Sequence, residues 1–269
     1  MRIRGKVWVV SGAGNGMGRE LVLLMLSRGA RVAAVDVSAA GLEETARLAG
    51  AGERLSSHVL DITDQAGVEA LPAAVVAAHG TVDGLLNNAG VIQPFLPVAE
   101  LDDASIRRVL DINLMGTVHM TRAFLPLLSE RPEAHLANVA SMGGFFPFPG
   151  QTMYGASKAA VKLFTEGLYA ELLDTRVSVS VIMPGAIATE ITVNSGVAAP
   201  EAAGGGEGNV RMTSPDKAAR IMVDGIEKDR LHIYVGADAK LMSIAIKVLP
   251  KTAIRFVKKQ MAKALAPAT

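Results

Sequence analysis

The chain has 269 residues, half of them hydrophobic and 20% charged, with a formal net charge of +1 at pH 7. Such a chain can bury a sizeable core, which excludes a disordered segment, and the absence of cysteine excludes disulfide scaffolds, thiolate metal sites and cysteine nucleophiles. The small net charge conceals an asymmetry: from Ala237 onward there are seven Lys/Arg and one acid, Asp238, so a −5 body carries a +6 tail.

Lys6–Val10 reads as a β-branched strand ending in Ser-Gly. Gly16–Arg28 follows with helical spacing (Met17, Leu21, Leu24, Met25), and Gly29 closes it. Arg31–Val35 is a second apolar strand, stopped at Asp36, and Ser38 caps a helix to about Leu48. Ser56–Leu60 is a strand leading into Asp61, Asp64–Ala78 a helix, and Val82–Leu86 a strand entering Asn87-Asn88-Ala89-Gly90. One long helix is expected over Ala104–Leu128, despite Gly116. Then come a strand at Ala134–Ala140, a helix at Tyr154–Leu173 and a strand at Val177–Met183, halted by Pro184-Gly185. Asn194–Met212, with its three adjacent glycines, reads as a loop or a lid. Pro215–Lys228 resumes helical spacing and Leu231–Val235 is the last strand.

Apolar strands separated by helices imply a parallel sheet covered on both faces. The expected fold is therefore α/β: one doubly wound Rossmann fold over residues 1–236, with a seven-stranded, mainly parallel sheet, and a helical extension at 237–269. The N-terminal apolar run is too short for a signal-peptide core, and no stretch approaches the ~18 apolar residues of a membrane span. A cytoplasmic setting is the expectation. The five histidines lack ligand spacing, so no metal site is expected.

The first strand runs into Ser11-Gly12-Ala13-Gly14-Asn15-Gly16-Met17-Gly18, inside which a helix starts. Glycines let backbone amides approach a pyrophosphate, and a helix N-terminus favours its charge. Strand-to-helix turns also need glycine for steric reasons alone, and the spacing here is G-x-x-x-G-x-G. Asp36, with Val37 beside it, ends the second strand where a carboxylate can accept hydrogen bonds from an adenosine ribose and repel a 2′-phosphate. That choice favours NAD over NADP.

Tyr154 and Lys158 stand four apart on a predicted helix and face one side. An ammonium near a phenol lowers a pKa that starts near ~10, making tyrosine a usable acid and base. Ser141 ends the preceding strand, at an edge where parallel sheets present functional groups. Asn113 lies among apolar helix residues, a packing accident unless it has a buried task.

In order along residues 5 to 235, these motifs resemble the short-chain dehydrogenase/reductase family. They are Gly12–Gly18, Asp61, Asn87–Gly90, Asn113, Ser141, Tyr154-Gly155-Ala156-Ser157-Lys158, and Pro184-Gly185 with Thr189; Ser11 replaces the family's usual threonine. The resemblance implies that Tyr154 exchanges the substrate's hydroxyl proton, that Lys158 lowers the Tyr154 pKa and bonds the nicotinamide ribose, that Ser141 polarises the substrate oxygen, and that Asn113 holds a water. It implies adenine contacts from Asp61 and Ile62, packing of Asn88, Ala89 and Gly90 along the cofactor, and a nicotinamide carboxamide held by Pro184, Gly185, Ile187 and Thr189. Asn15, Gly16 and Met17 complete the expected cofactor loop. A homodimer or homotetramer is implied as well.

Phe145, Phe146 and Phe148 fall between Ser141 and Tyr154, and Phe95 follows the Asn-Ala-Gly motif. Aromatics concentrated beside a site suggest an apolar pocket wall, with Phe95 and Phe145 joining Ser141 and Tyr154 around a hydrophobic alcohol or ketone. Packing against a neighbouring subunit or the lid is the competing explanation. The expected reaction is NAD-dependent interconversion of a secondary alcohol and its ketone. An NADPH-dependent ketone or oxoacyl reductase and a non-catalytic dinucleotide-binding regulator are the alternatives.

The tail reads as two amphipathic helices. In Asp238–Leu249, Lys240, Ser243 and Lys247 make a narrow polar stripe; in Lys251–Leu265, Ile254, Val257, Met261 and Leu265 share a face opposite Arg255, Lys259 and Lys263. Three readings compete: a helix packed over the body with its lysines solvated, a dimer contact, and attachment to an anionic membrane surface. Nucleic-acid binding is not expected, for want of interleaved aromatics or a binding module.

Overall fold

The computed structural model describes residues 1–189, 191–198 and 212–261. Most of the predicted loop at Asn194–Met212, and the helix beyond Met261, lie outside the described residues.

Seven strands form one sheet: β1 Val7–Ser11, β2 Arg31–Asp36, β3 Leu55–Val59, β4 Gly84–Asn87, β5 Ala134–Val139, β6 Val177–Pro184 and β7 His232–Val235. Their order is β3-β2-β1-β4-β5-β6-β7, and every pairing is parallel, so the sheet is wholly rather than mainly parallel. Helices α1 (Gly16–Ser27), α2 (Ala39–Ala49) and α8 (Pro215–Glu227) belong to one side, and α3 (Gln65–His79), α4 (Asp103–Leu110), α5 (Thr117–Ser129) and α6 (Thr152–Leu172) to the other, with a single turn, α7 (Ile191–Asn194), after β6. Leu21, Met25, Ala218 and Met222 pack on the first face; Val68, Val75, Phe124 and Leu168 pack on the second. The order reverses at β1, whose neighbours β2 and β4 carry the chain to opposite sides. A crevice opens there beyond the carboxyl ends of the strands.

The predicted long helix is not continuous. Between α4 and α5 the segment Asp111–Gly116 is π-helical. One extra residue per turn lets Asn113 turn inward, and Gly116 packs flush on Ile62: a Cβ there would lie 2.5 Å from Ile62 Cδ1. The close fit at Gly116 is thus made with a neighbour 54 positions away, which helical periodicity could not reveal.

After β7 the chain forms α9 (Ala237–Val248) and α10 (Pro250–Met261). Ala239, Ala253 and Val257 are buried against Met142 and Phe146, with Phe145, Phe148 and Tyr234 at the margin. The aromatic segment next to Ser141 therefore packs under the tail, and Phe146 is fully buried rather than lining an open pocket. The expected polar stripe of the first tail helix is corrected too. Ser243 faces inward, its hydroxyl bonded to the Lys240 carbonyl, while Leu241, Ile244 and Val248 face solvent. In α10 the inward stripe is Ala253, Val257 and Met261; Ile254 is exposed at its edge. No helix among the described residues is long and apolar enough to cross a membrane.

Trp8, the only tryptophan, is fully buried in β1 and covers Gly84 of β4, where a Cβ would sit 2.5 Å from its indole. Gly84→Ala is expected to destabilise the fold by about 1–3 kcal/mol through overpacking. Urea unfolding followed by Trp8 fluorescence checks it.

Candidate active site

The glycine loop lies against the segment after β4. Gly12 adopts φ +67°, and a Cβ on it would stand 2.8 Å from Ala89 Cα; one on Gly18 would strike the Gly12 carbonyl. Ser11 Oγ accepts from Asn88 N (3.1 Å) and Ala89 N (3.2 Å), so the hydroxyl alone, with or without threonine's methyl, can join the two segments. Asn88 Nδ2 returns bonds to the Ser11 and Gly12 carbonyls. At the other side of the loop, Asp36 Oδ2 accepts from Gly14 N (2.8 Å) and Oδ1 from Ser38 N (2.9 Å). This pins the carboxylate at the crevice with acceptor capacity to spare.

The crevice, of about 380 Å³, is lined by Gly12, Asn15, Gly16, Met17 and Gly18 from the loop, and Asp36 and Val37 from the end of β2. Asp61 and Ile62 close it on one side, Asn88, Ala89 and Gly90 on another, and Thr189 on a third. Ser38, Arg108 and Asn194 also line it and were not anticipated. Asn15 precedes α1 without capping it; its Oδ1 instead accepts from Asn194 Nδ2 at 3.1 Å. The first-turn N–H groups of α1 are left without that side-chain cap, as an anion site requires. Pro184, Gly185 and Ile187 do not line this crevice. They form a separate segment, in which Ile187 pairs with Thr213 and Gly185 N donates to the Val235 carbonyl at 2.8 Å.

Ser141, two residues past the end of β5, opens a tight turn, Met142–Gly144, whose glycines press onto α6. A Cβ on Gly144 would lie 2.7 Å from the Lys158 carbonyl. One on Gly143 would lie 3.3 Å from Tyr154 Cε1 and 3.4 Å from Ser141 Oγ, so the serine hydroxyl and the phenol ring meet at this turn. Lys158 is buried, and its Nζ donates to the Val139 carbonyl at 2.9 Å. A Cβ on Gly90 would stand 3.0 Å from Lys158 Nζ and 3.1 Å from Asn113 Oδ1. Gly90 is thus where the crevice meets the buried Lys158 and Asn113 side chains.

Asn113 is fully buried and committed by three bonds. Its Oδ1 accepts from Val91 N (2.8 Å), and its Nδ2 donates to Val91 O (2.9 Å) and Ser157 Oγ (3.0 Å). Ser157 in turn donates to the Tyr154 carbonyl. The Asn113 side chain thereby ties the segment after β4 to α6.

Burial raises the Tyr154 phenol above its ordinary value, the Ser141 hydroxyl acting the other way, and burial brings the Lys158 ammonium down to about 8. The ammonium is directed at the Val139 carbonyl, and both groups meet a desolvation cost that helical spacing does not report.

Two residues carry structural roles that no local motif marks. Gln93 is fully buried; its Oε1 accepts from Met153 N (2.7 Å) and Tyr154 N (3.0 Å) at the start of α6, and its Nε2 donates to the Gly150 carbonyl. It caps the helix that carries Tyr154 from 60 positions away, so no local motif marks it. Asp238, the tail's one acid, accepts from Ala186 N at 2.7 Å and fills the space beside Gly185 and Gly236 where side chains would stand. Phe145 meets Tyr234 edge-on at 5.9 Å between ring centres, and Phe95 is half-buried in the loop after β4.

A parallel sheet with a glycine-lined crevice at its switch point, beside a serine, tyrosine and lysine, defines a nucleotide-binding oxidoreductase of the doubly wound class. Residues 6–198 match the family model described as short chain dehydrogenase, and the chain belongs to that family. It is 36% identical over 267 residues to SadH of Mycobacterium tuberculosis, described as an oxidoreductase, covering 96% of each chain. It is also 36% identical over 250 residues to a 1-deoxy-11-beta-hydroxypentalenate dehydrogenase of Streptomyces avermitilis, covering 89% of this chain and 88% of that one. Among solved structures, a Burkholderia phymatum short chain dehydrogenase/reductase in complex with NAD has a TM-score of 0.81 at 28% identity, over 92% of this chain and 96% of that one. A Burkholderia cenocepacia short chain dehydrogenase in complex with NADP has a TM-score of 0.79 at 28% identity, over 99% and 100%.

Gln93→Ala removes the acceptor for two N–H groups at the start of α6. Turnover is expected to fall about ten- to a hundredfold with KM little changed, as steady-state kinetics would show, because the cap sets geometry rather than affinity. Lys158 gives a pH signature. The folded chain releases this proton at about 8, whereas the unfolded chain holds it to an ordinary 10.5, so the unfolded state binds more protons in between. Stability therefore rises from about pH 8 to 10. The raised Tyr154 value opposes this only above its own ordinary value of 10. Denaturant midpoints across that range should climb in the wild type and stay level in Lys158→Met.

Proposed function

We propose that the protein interconverts an apolar secondary alcohol and its ketone with NAD. The observation that carries this is the junction at Gly90, where the crevice carrying Asp36 touches the buried pair Lys158 and Asn113. The residues present fit a dinucleotide: a loop whose glycines are too close to their neighbours for side chains, an uncapped helix start and a carboxylate held by two backbone amides. When bound, the nicotinamide dinucleotide supplies hydride acceptance and donation.

The rest falls to this chain. Tyr154, its phenol held protonated by burial, is the group that gives a proton to a ketone oxygen and takes one from an alcohol. Ser141 Oγ, beside that phenol, orients and polarises the same oxygen. Lys158 places a cation, or with its lowered pKa a neutral amine, at the Gly90 end of the crevice, able to bond a ribose hydroxyl and to bias the phenol toward its anion once the ring is engaged. Asn113 and Gln93 hold α6 in place without touching substrate. Asp36 would accept from ribose hydroxyls and repel a 2′-phosphate; the Arg19 guanidinium is engaged by Gly14 O and Thr45 Oγ1. Pro184, Gly185, Ile187 and Thr189 would meet the nicotinamide end, and Phe95 and Phe145 would flank the substrate. The dehydrogenase named for a hydroxypentalenate supports an alcohol substrate. NADPH-driven reduction is the second reading, favoured by the Burkholderia cenocepacia neighbour with NADP.

A screen of secondary alcohols at 340 nm with each cofactor tests the proposal. Expected are turnover with NAD at least about tenfold above NADP, from the Asp36 carboxylate, and loss of turnover in Tyr154→Phe with NAD binding retained by calorimetry. Full activity in that variant overturns the mechanism. A preference for NADP overturns the Asp36 assignment.

A further inference from the structure

The inner faces of α9 and α10 are spent on the body: Ala239, Ser243, Ala253 and Val257 are buried beside Met142 and Phe146. Their outer faces remain apolar. Leu241, Ile244 and Val248, at i, i+3 and i+7, form one stripe along α9, exposed by 61%, 57% and 68%. Leu249 follows at 59%, and Phe256 of α10 is 53% exposed. Single exposed apolar residues are ordinary, but a stripe at helical spacing marks a contact surface.

Charge narrows the occupant. Lys240 and Lys247 edge the α9 stripe, and Lys251, Arg255, Lys258 and Lys259 are exposed on α10. The one acid of the two helices, Asp238, is turned to Ala186 N, so among the described residues the outward charges of this segment are all positive. Five of these six cations are lysines, which protein interfaces deplete. Lysine stems that lie along apolar surface with their ammonium groups raised suit the headgroup layer of a bilayer instead.

We propose that α9 and α10 form an interfacial anchor that lays this face of the protein on an anionic lipid bilayer, Leu241, Ile244 and Val248 entering the acyl boundary and the lysines meeting lipid phosphates. The anchor stands apart from the reaction, because docking requires neither cofactor nor turnover. It would nonetheless set the membrane beside the segment Met142–Phe148, which follows Ser141.

Co-sedimentation of the full chain with vesicles tests it. Expected is pelleting with equimolar phosphatidylcholine–phosphatidylglycerol vesicles at low salt, on the order of tenfold above phosphatidylcholine alone and weakened at ~0.5 M salt. The variant Leu241→Ser/Ile244→Ser/Val248→Ser and, separately, Lys247→Glu/Lys251→Glu should each cut pelleting at least about fivefold while circular dichroism stays unchanged. Absence of pelleting with anionic vesicles, or pelleting indifferent to both variants, overturns the proposal. So does a fall in solution mass of the serine variant by light scattering, which would assign the stripe to a second copy of the chain.

Discussion

The Asn113 side chain is the constraint on which the site depends. Its amide bonds both backbone groups of Val91 and the Ser157 hydroxyl, joining three stretches of chain that share no local sequence: the loop after β4, the π-helical turn and α6. With Ile92 N bonded to Ser195 Oγ and Gln93 capping α6, the segment Val91–Gln93 is held from three directions. Tyr154 and Lys158 therefore stand on a helix whose start and first turn are fixed from outside it. Because these partners are buried, truncating one would leave backbone groups unpaired in a dry interior, at a cost of about 1–3 kcal/mol each.

A second coupling links the tail to the body. Asp238 binds Ala186 N next to Gly185, and the inner faces of α9 and α10 cover the aromatic segment after Ser141. The sequence presents the tail as an appendage of opposite charge, yet its acid and its buried stripe are components of the segment after β6 and of the turn after β5. Among the described residues its cations remain outside, and so do the apolar residues for which the body has no use.

Much of the fold was legible because its signals are local. Apolar runs between helical segments correctly implied a parallel sheet, and Gly12, Gly18 and Asp36 lie where strand-to-helix turns require them. One crevice gathers many of the loop and strand-end residues that the sequence singles out, from Gly12 to Thr189. The errors share one cause. The close fit of Gly116 at the end of the π-helical segment is made with Ile62, the burial of Phe146 with α9 and α10, and the cap on α6 with Gln93. Each is a contact between distant positions. Ser243 and Leu241 show the same limit on one helix: periodicity finds two faces, but polarity alone chose the wrong one to bury.

Sequence by itself determined the order of elements, the class of fold and which chemical groups the chain can offer, since these follow from residue type and short-range spacing. The tertiary structure decided how those groups are presented. It set Ser141 against Tyr154 at the Gly143 turn, turned the Lys158 ammonium to the Val139 carbonyl, and added a desolvation that moves the Tyr154 pKa up and the Lys158 pKa down. Hydrogen-bond direction and desolvation depend on everything packed around a group, and that surrounding is assembled from parts of the chain no local window contains.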